Sequence, residues 1–382
     1  MLPFPIISNT NILPIPGIKK LVTSANAVLY LTTGGDLYGA GSNRNGELGL
    51  GHTNPVPKFI FIRSSVKDVW ASGSTQVVLY IDISNQFWFA GDTRVLSGSD
   101  TLNFNTTFVN RTDLFSPVGI TTDAQISDIY FHYGAKMQVV LKDGSYYCSG
   151  KNNVTTISSF GDGTNTNSVN VLRFIRSDVK EARGNFIKDS SNNLLGCGIN
   201  GSYQLGTGNT TSTTTFISVM TNISTFDAGS GGTSTFVIKD NKLYITGTTL
   251  GGSNIYGEFG NGGTITVYQT LTEITTAGSS ISKLFVGLNS INTHLVNNGI
   301  YMNTGYNVSG QLGRGNTTNV LTFSSITPVW GSSIIKLIIG SNQNTYILTD
   351  NNKLYACGAV DGGYSTTHSS NVLIFEEIII VV

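Results

Sequence analysis

The chain has 382 residues, with 22 basic and 22 acidic side chains and 45 glycines. Charged residues make up only 12% of it, against about 25% in an ordinary soluble domain. This neutral balance argues against nucleic-acid binding, which needs clustered lysine and arginine. No segment approaches the roughly 20 consecutive apolar residues of a membrane-spanning helix, so we expect no membrane span.

The elements of the chain, taken in order, repeat. A proline-containing segment at 11–17 comes first, and we predict an edge strand there because proline cannot donate to a sheet ladder. Each following unit has two apolar strands, a polar turn and an aromatic third strand that ends in glycine. In the first unit these strands are predicted at 18–23, 27–32 and 37–41.

Seven such units follow one another, and most continue into a fourth strand. They begin near residues 18, 66, 126, 179, 223, 281 and 334. A period of roughly 45–60 residues built from short strands is typical of a β-propeller. We therefore predict an all-β chain with one domain over 1–382, a seven-bladed β-propeller of four-stranded antiparallel blades. Pairing of the 11–17 strand with the last blade would close the ring by terminal strands and remove open sheet edges.

Three units carry a longer motif after the third strand, with the pattern G-x-N-x-x-G-Q/E-L-G-x-G. A weaker copy lies at 256–262, and 160–163 keeps a remnant. The motif positions that we expect to be structural are Gly46, Leu48, Gly49, Gly51, Leu205, Gly206, Gly208, Gly310, Leu312, Gly313 and Gly315.

This motif, in phase with the strands, resembles the repeat of the regulator of chromosome condensation (RCC) family, over nearly the whole chain. The resemblance implies a seven-bladed propeller in which the glycines make a turn and the leucine plugs the space between blades. It also implies one candidate activity, guanine-nucleotide exchange on a small GTPase. Only the structural glycines and leucines match, and no loop of the family's exchange surface can be transferred residue by residue.

Catalytic and metal-binding patterns are missing from the sequence. The four histidines lie in different units, and there is no nucleophile elbow, zinc-protease motif or phosphate-binding loop. Three cysteines, Cys148, Cys197 and Cys357, sit near the ends of third strands of different units, where we expect small buried residues rather than a disulfide. We predict a non-enzymatic protein with no cofactor and no metal site.

Composition leaves two classes of function open. Low charge, loops rich in Ser, Thr, Asn and Gly, and the lack of a signal peptide favour synthesis in the cytoplasm and incorporation into a large assembly such as a phage virion, as a docking or host-contact module. The alternative is an intracellular regulatory propeller such as a nucleotide exchange factor. In both cases we expect the partners to be other proteins.

The least regular loops are the predicted contact sites, because the repeat does not dictate them. They are the insertions at 92–112, 151–170 and 248–267. Large aromatic and arginine side chains are the usual anchors of protein interfaces, and the candidates here are Phe104, Phe108, Arg111 and Tyr256.

Overall fold

The computed structural model of the protein describes residues 17–25, 27–72, 75–97, 103–132, 135–153, 159–166, 169–228, 233–249, 256–263, 265–287, 291–340, 343–359 and 370–378. Within these residues, 28 strands form seven separate sheets, and each sheet consists of four consecutive antiparallel strands. The predicted seven-bladed all-β propeller is therefore confirmed. No helix of the described residues is long and apolar enough to cross a membrane.

The seven blades begin at residues 18, 66, 126, 179, 225, 281 and 335. In chain order the strands are β1 Ile18–Ser24, β2 Ala27–Thr32, β3 Leu37–Gly41, β4 Val56–Arg63; β5 Val66–Ala71, β6 Val77–Asp82, β7 Phe87–Asp92, β8 Phe104–Asn110; β9 Ile126–His132, β10 Lys136–Leu141, β11 Tyr146–Gly150, β12 Val169–Arg176; β13 Val179–Arg183, β14 Phe186–Asp189, β15 Leu194–Gly198, β16 Thr213–Met220; β17 Thr225–Ala228, β18 Ser234–Lys239, β19 Lys242–Thr248, β20 Val267–Glu273; β21 Ile281–Val286, β22 Asn292–Asn297, β23 Ile300–Gly305, β24 Val320–Ser325; and β25 Ile335–Gly340, β26 Asn344–Thr349, β27 Leu354–Gly358, β28 Val372–Glu377.

The second strands are the most apolar because both of their faces are covered by neighbouring blades. Every residue of β2, β6, β10 and β26 is buried. Such strands read as continuous apolar runs rich in Val, Ile, Leu and Tyr. The fourth strands alternate instead, since they form the outer edge of each blade; in β4, Val56 and Phe59 are buried while Phe61 is exposed.

The ring closes through an apolar cluster between the seventh and first blades. Tyr346, Leu348 and Leu354 of the seventh blade pack with Tyr30 and Tyr38 of the first. The two tyrosine rings of the first blade stack with 4.9 Å between their centroids. The four strands β25–β28 of the seventh blade all come from the last repeat. The predicted pairing of the 11–17 strand with this blade lies outside the described residues.

An asparagine organises each motif turn. The backbone N–H of Leu48 donates to Oδ1 of Asn43, and that of Leu312 donates to Oδ1 of Asn307, both at 2.9 Å. The Nδ2 of Asn43 then donates to the carbonyl of His52 at 2.7 Å, which ties the two ends of the loop together. The same bonds recur at Asn200 in the fourth blade. Leu48, Leu205 and Leu312 are fully buried.

Each motif turn rests on the outer strand of the next blade. Isolated backbone bridges join Leu50 to Thr107 in β8 and Arg314 to Ile374 in β28. The contact is close enough to require glycine: a Cβ on Gly313, whose φ is +67°, would lie 2.3 Å from the ring of Phe375. The motif therefore links consecutive blades as well as capping its own.

Two junctions without an intact motif use other residues. Between the second and third blades, the short helix α1 (Arg94–Ser97) inserts Val95 and Leu96 into the core. Phe115, from a 3-10 turn before β9, stacks on Phe87 with 3.9 Å between ring centroids. Part of the 92–112 insertion thus serves packing between blades.

A buried lysine holds the junction of the third and fourth blades. The Nζ of Lys136 donates to the carbonyls of Ser159 and Gly184, both at 2.7 Å, and to Oδ1 of Asn185 at 3.2 Å. Burial lowers the pKa of this ammonium. Its three protons all find oxygen acceptors, which is the condition for burying a polar group at modest cost. Ser159, just before the remnant motif, supplies one of them, and the remnant supplies a fully buried plug, Phe160.

The Gln/Glu position of the motif is also buried. Oε1 of Gln311 accepts the backbone N–H of Ser309 at 3.0 Å, and Oε2 of Glu47 accepts that of Asn45 at the same distance. Both side chains are fully buried. Burial raises the pKa of Glu47 to about 7, so its carboxyl is neutral, like the amide of glutamine, only below neutral pH.

Removing a leucine plug should destabilise the ring. We expect Leu312→Ala to lower the free energy of unfolding by about 2–5 kcal/mol, because it leaves a cavity between blades. Denaturant unfolding followed by circular dichroism measures this. The matched control is Leu321→Ala on β24, whose side chain is 41% exposed and should cost less than about 1 kcal/mol. Equal losses in the two variants would contradict the plug role.

Glu47 should make stability depend on pH. The pKa of the Glu47 carboxyl is 4.5 in the unfolded chain and about 7 in the folded protein. Its contribution to stability is therefore fully present below pH 4.5 and is lost as the pH rises through about 7. We expect Glu47→Gln to match the parent near pH 5 and to exceed it by about 1–3 kcal/mol near pH 8. Gln311→Glu is the reverse control, and it should make the protein less stable at high pH than at low pH. Parallel stability curves for Glu47→Gln and the parent would exclude this effect.

Candidate functional site

The first strands of the seven blades surround a central channel. All seven inner strands, from β1 to β25, contribute to its wall, and it encloses a cavity of about 310 Å³. The propeller fold requires only that each of these first strands hydrogen-bond to the second strand of its own blade. The side chains that face the channel are therefore free to differ between blades, and they are the natural place to look for function.

The channel wall has a charged half and an apolar half. The charged side chains of the wall are Lys20, Asp128, Arg183 and Asp227, from the first, third, fourth and fifth blades. The apolar half consists mainly of Phe285, Leu337 and Ile339 in the sixth and seventh blades together with Val22 and Leu284.

Lys20 is held by two neighbours on the second blade. Its Nζ lies 2.9 Å from Oδ1 of Asp68 and 4.5 Å from the centre of the Trp70 ring. The ion pair and the cation–π contact together fix the ammonium against the wall. This side chain and Asp68 neutralise one another.

Arg183 and Asp227, on the fourth and fifth blades, form a second charged pair of the wall. The Nη1 of Arg183 donates to the carbonyl of Phe226 at 3.2 Å, and Oδ2 of Asp227 accepts the N–H of Val286 at 3.1 Å. Burial raises the pKa of Asp227, and the nearby guanidinium opposes that rise. Burial would lower the pKa of Arg183, but Asp227 and other acids outweigh it and the pKa is raised.

Asp128 is the other acid of the wall. It is exposed to the channel but enclosed by the ring of strands, and this enclosure raises the pKa of its carboxyl. The cations Lys20 and Arg183 pull that pKa in the other direction. Acidic side chains are thus concentrated on the second to fifth blades.

Lysines surround one mouth of the channel, where the inner strands begin. The second position of the inner strand is lysine in four of the seven blades: Lys19, Lys67, Lys180 and Lys336. Lys283 lies at the third position in the sixth blade. We call Lys283, Lys336, Lys19 and Lys67, from the consecutive blades six, seven, one and two, the lysine arc.

The predicted contact residues occupy different settings. Phe104 begins β8 and is 38% exposed. Phe108, on the same strand, packs edge-on against Tyr80 with 4.8 Å between ring centroids and lies under the motif turn of the first blade. Arg111 pairs with Asp113 at 2.9 Å. A contact role for Phe104 and Arg111 stays a prediction.

Tyr256 lies beside the weak motif copy. Its ring meets that of Tyr306 edge-on, with 5.0 Å between centroids. The rest of the 248–267 insertion is described only in part. A contact role for Tyr256 also stays a prediction.

The buried histidines serve the core. Burial lowers the pKa of both His132 and His294 to about 3, so they are neutral. His294 is bonded through Nδ1 to the Tyr301 hydroxyl at 2.6 Å and through Nε2 to Asn292 at 3.2 Å. In the part of the chain that the structure describes, no group of three or more His, Cys, Asp or Glu side chains could hold a metal ion.

Sequence reasoning missed the channel residues and the lysine arc. Each lysine of the arc is 48 or more residues away in the chain from the others, so no local run of charge marks them. The signal was nonetheless present. Aligning the repeats on their first strands places a lysine at the second position of four copies.

The sequence matches no protein-family model and no curated protein. Among solved structures, the chain is similar to Prp20p from Saccharomyces cerevisiae, whose structure was described with its binding properties to Gsp1p and histones. The identity is 14%, the TM-score is 0.69, and the match covers 92% of this chain and 87% of that one. Yeast RCC1 (Prp20) bound to Kap60 matches with 14% identity and a TM-score of 0.69, covering 95% and 85% of the two chains.

The class of protein follows from the fold. This chain is an RCC-like seven-bladed β-propeller, and the resemblance inferred from the repeat is confirmed for the architecture. The similar proteins are binding proteins built on the same scaffold. Neither likeness supports the expectation of a phage virion component.

The Arg183 and Asp227 pair should be electrostatically coupled. We expect Arg183→Gln to lower the free energy of unfolding by about 1–3 kcal/mol at neutral pH, because it removes the cation that stabilises an enclosed carboxylate. The loss should shrink on acidification, when Asp227 is protonated. Unfolding curves at several pH values measure this. Arg176→Gln, which breaks a pair with partly exposed Asp178, is the control and should cost little; a pH-independent loss in Arg183→Gln would argue against the coupling.

Proposed function

We propose that this chain is a non-catalytic, protein-binding propeller with a regulatory role, and that its partner is a small GTPase whose nucleotide exchange it accelerates. The observation that carries the proposal is the likeness to Prp20p over 92% of the chain, a protein described as binding Gsp1p. The repeat motif that suggested the same family from the sequence is an independent support.

The mechanism requires only binding energy. Suppose that a protein binds the nucleotide-free GTPase more tightly than the nucleotide-bound form. The ratio of these two affinities is then also the ratio by which the protein weakens nucleotide binding, since the two equilibria are linked. No covalent step is needed. A rigid ring that presents loops at fixed positions suits this role, because little ordering entropy is lost when the partner docks.

The contact residues that we propose are Phe104 and Arg111, with Tyr256 as a third. Phe104 offers a partly exposed aromatic ring at the start of the edge strand β8, and Arg111, whose side chain is 28% exposed, follows the end of that strand. Aromatic and arginine side chains are enriched at interface hot spots, and these two would contact separate parts of a partner.

Release of a fluorescent guanine nucleotide from purified Gsp1p and from other small GTPases tests the proposal. We expect the chain to accelerate release from at least one of them by about tenfold or more, in excess unlabelled nucleotide. Phe104→Ala combined with Arg111→Ala should reduce the acceleration without changing the melting temperature. Phe174→Ala, at an exposed ring on β12, is the matched control and should leave exchange unchanged.

The outcomes separate binding from exchange. Binding without acceleration would reject the exchange activity and leave a protein-binding propeller. Neither binding to nor acceleration of any GTPase would reject the proposed partner class.

A further inference from the structure

The lysine arc is a cationic surface within a chain of zero net charge. Its four lysines come from four adjacent blades, so they follow part of the circumference of the channel mouth. Asp128, Arg183 and Asp227 line the channel wall in the third, fourth and fifth blades, and Lys180 of the fourth blade lies outside the arc.

The ammonium groups of the arc are fastened by neutral acceptors. The Nζ of Lys19 donates to the backbone carbonyl of Lys67, and that of Lys283 donates to the carbonyl of Lys336 at 3.0 Å. Each bond reaches from one blade to the next. An ammonium has three protons, so each of these groups keeps two for a ligand.

The other two lysines of the arc are anchored on turns of their own blades. Nζ of Lys67 donates to Oδ1 of Asn85 at 2.6 Å, and that of Lys336 donates to Oδ1 of Asn352 at 3.2 Å. Both asparagines adopt positive φ in the hairpin turns, 60° and 61°, a conformation that asparagine tolerates well. These turns therefore place the acceptors, and the acceptors place the cations.

Most of the positive charge of the arc has no acidic partner. Among the described residues, no carboxylate oxygen lies within 4.0 Å of the Nζ of Lys19, Lys283 or Lys336. Lys67 has a distant partner, Asp123 at 3.6 Å. A multiply charged anion placed along the arc would be attracted by ammonium groups that no carboxylate neutralises.

We propose that the lysine arc is a binding site for a compact polyanion that carries several phosphate-like groups. Lysine ammonium groups act as point charges without the planar fork of arginine, so the site selects charge density rather than one planar shape. The arrangement is curved around a channel mouth. A nucleic-acid duplex would instead need cations along an extended track.

Calorimetric titration of the full chain with tripolyphosphate tests the site, in about 50 mM and about 200 mM salt. We expect saturable binding of one molecule per chain that weakens with salt, and an affinity at least about tenfold above that for sulfate. Lys19→Gln combined with Lys336→Gln should weaken tripolyphosphate binding by about tenfold or more. Neither substitution touches the residues proposed for GTPase contact, so the exchange assay can fail or succeed independently.

The control removes the same charge elsewhere. Lys58→Gln combined with Lys142→Gln changes two exposed lysines outside the arc and should leave the affinity unchanged, with both double variants melting like the parent. An equal loss in the control, equal affinity for sulfate and tripolyphosphate, the lack of saturable binding, or tighter binding of a short DNA duplex than of tripolyphosphate would each overturn the proposal.

Discussion

The structure depends on the bond between the motif asparagine and the backbone N–H of the buried leucine. In the first, fourth and sixth blades this bond is 2.9 Å long and fully buried. It sets the turn that carries the leucine into the space between blades, and it satisfies a backbone donor that would otherwise be buried without a partner. Because the same turn lies on the outer strand of the following blade, one local interaction positions two sheets at once.

Where this interaction is missing, the ring needs a substitute of similar volume and polarity. The second junction uses an apolar helix turn, with Val95 and Leu96 fitted between blades. The third junction instead keeps the bond, from the N–H of Phe160 to Oδ1 of Asn152 at 2.9 Å, and adds the ammonium of Lys136, which three oxygen atoms surround. These solutions differ physically, but they meet the same requirement. The gap between two twisted sheets must be filled, and no buried polar group may be left without a hydrogen-bond partner.

The motif acts at the outside of the ring, and this leaves the inside free to vary. No inner-strand side chain is required to repeat, so the wall can place Arg183 beside Asp227 and put Phe285 and Ile339 on the other side. The regulatory function and the polyanion site proposed above both use surfaces on which the repeat imposes no residue. A propeller can in this way keep its architecture at 14% identity to Prp20p while its surface chemistry diverges.

The sequence by itself determined the architecture, because periodic apolar strands and the in-phase motif are local signals that recur seven times. It also pointed to the leucines and glycines of the motif. It could not reveal the role of Asn43 and its equivalents, the packing of Phe108 beneath a neighbouring turn, or the lysine arc. The bond of Asn43 to Leu48 lies within one turn and depends on the backbone conformation of that turn. The other two features join residues from different blades, and only the closed ring brings such residues together. Lys19 and Lys336 are neighbours on the channel mouth although they stand at opposite ends of the chain, since a circular fold makes the first and last repeats adjacent.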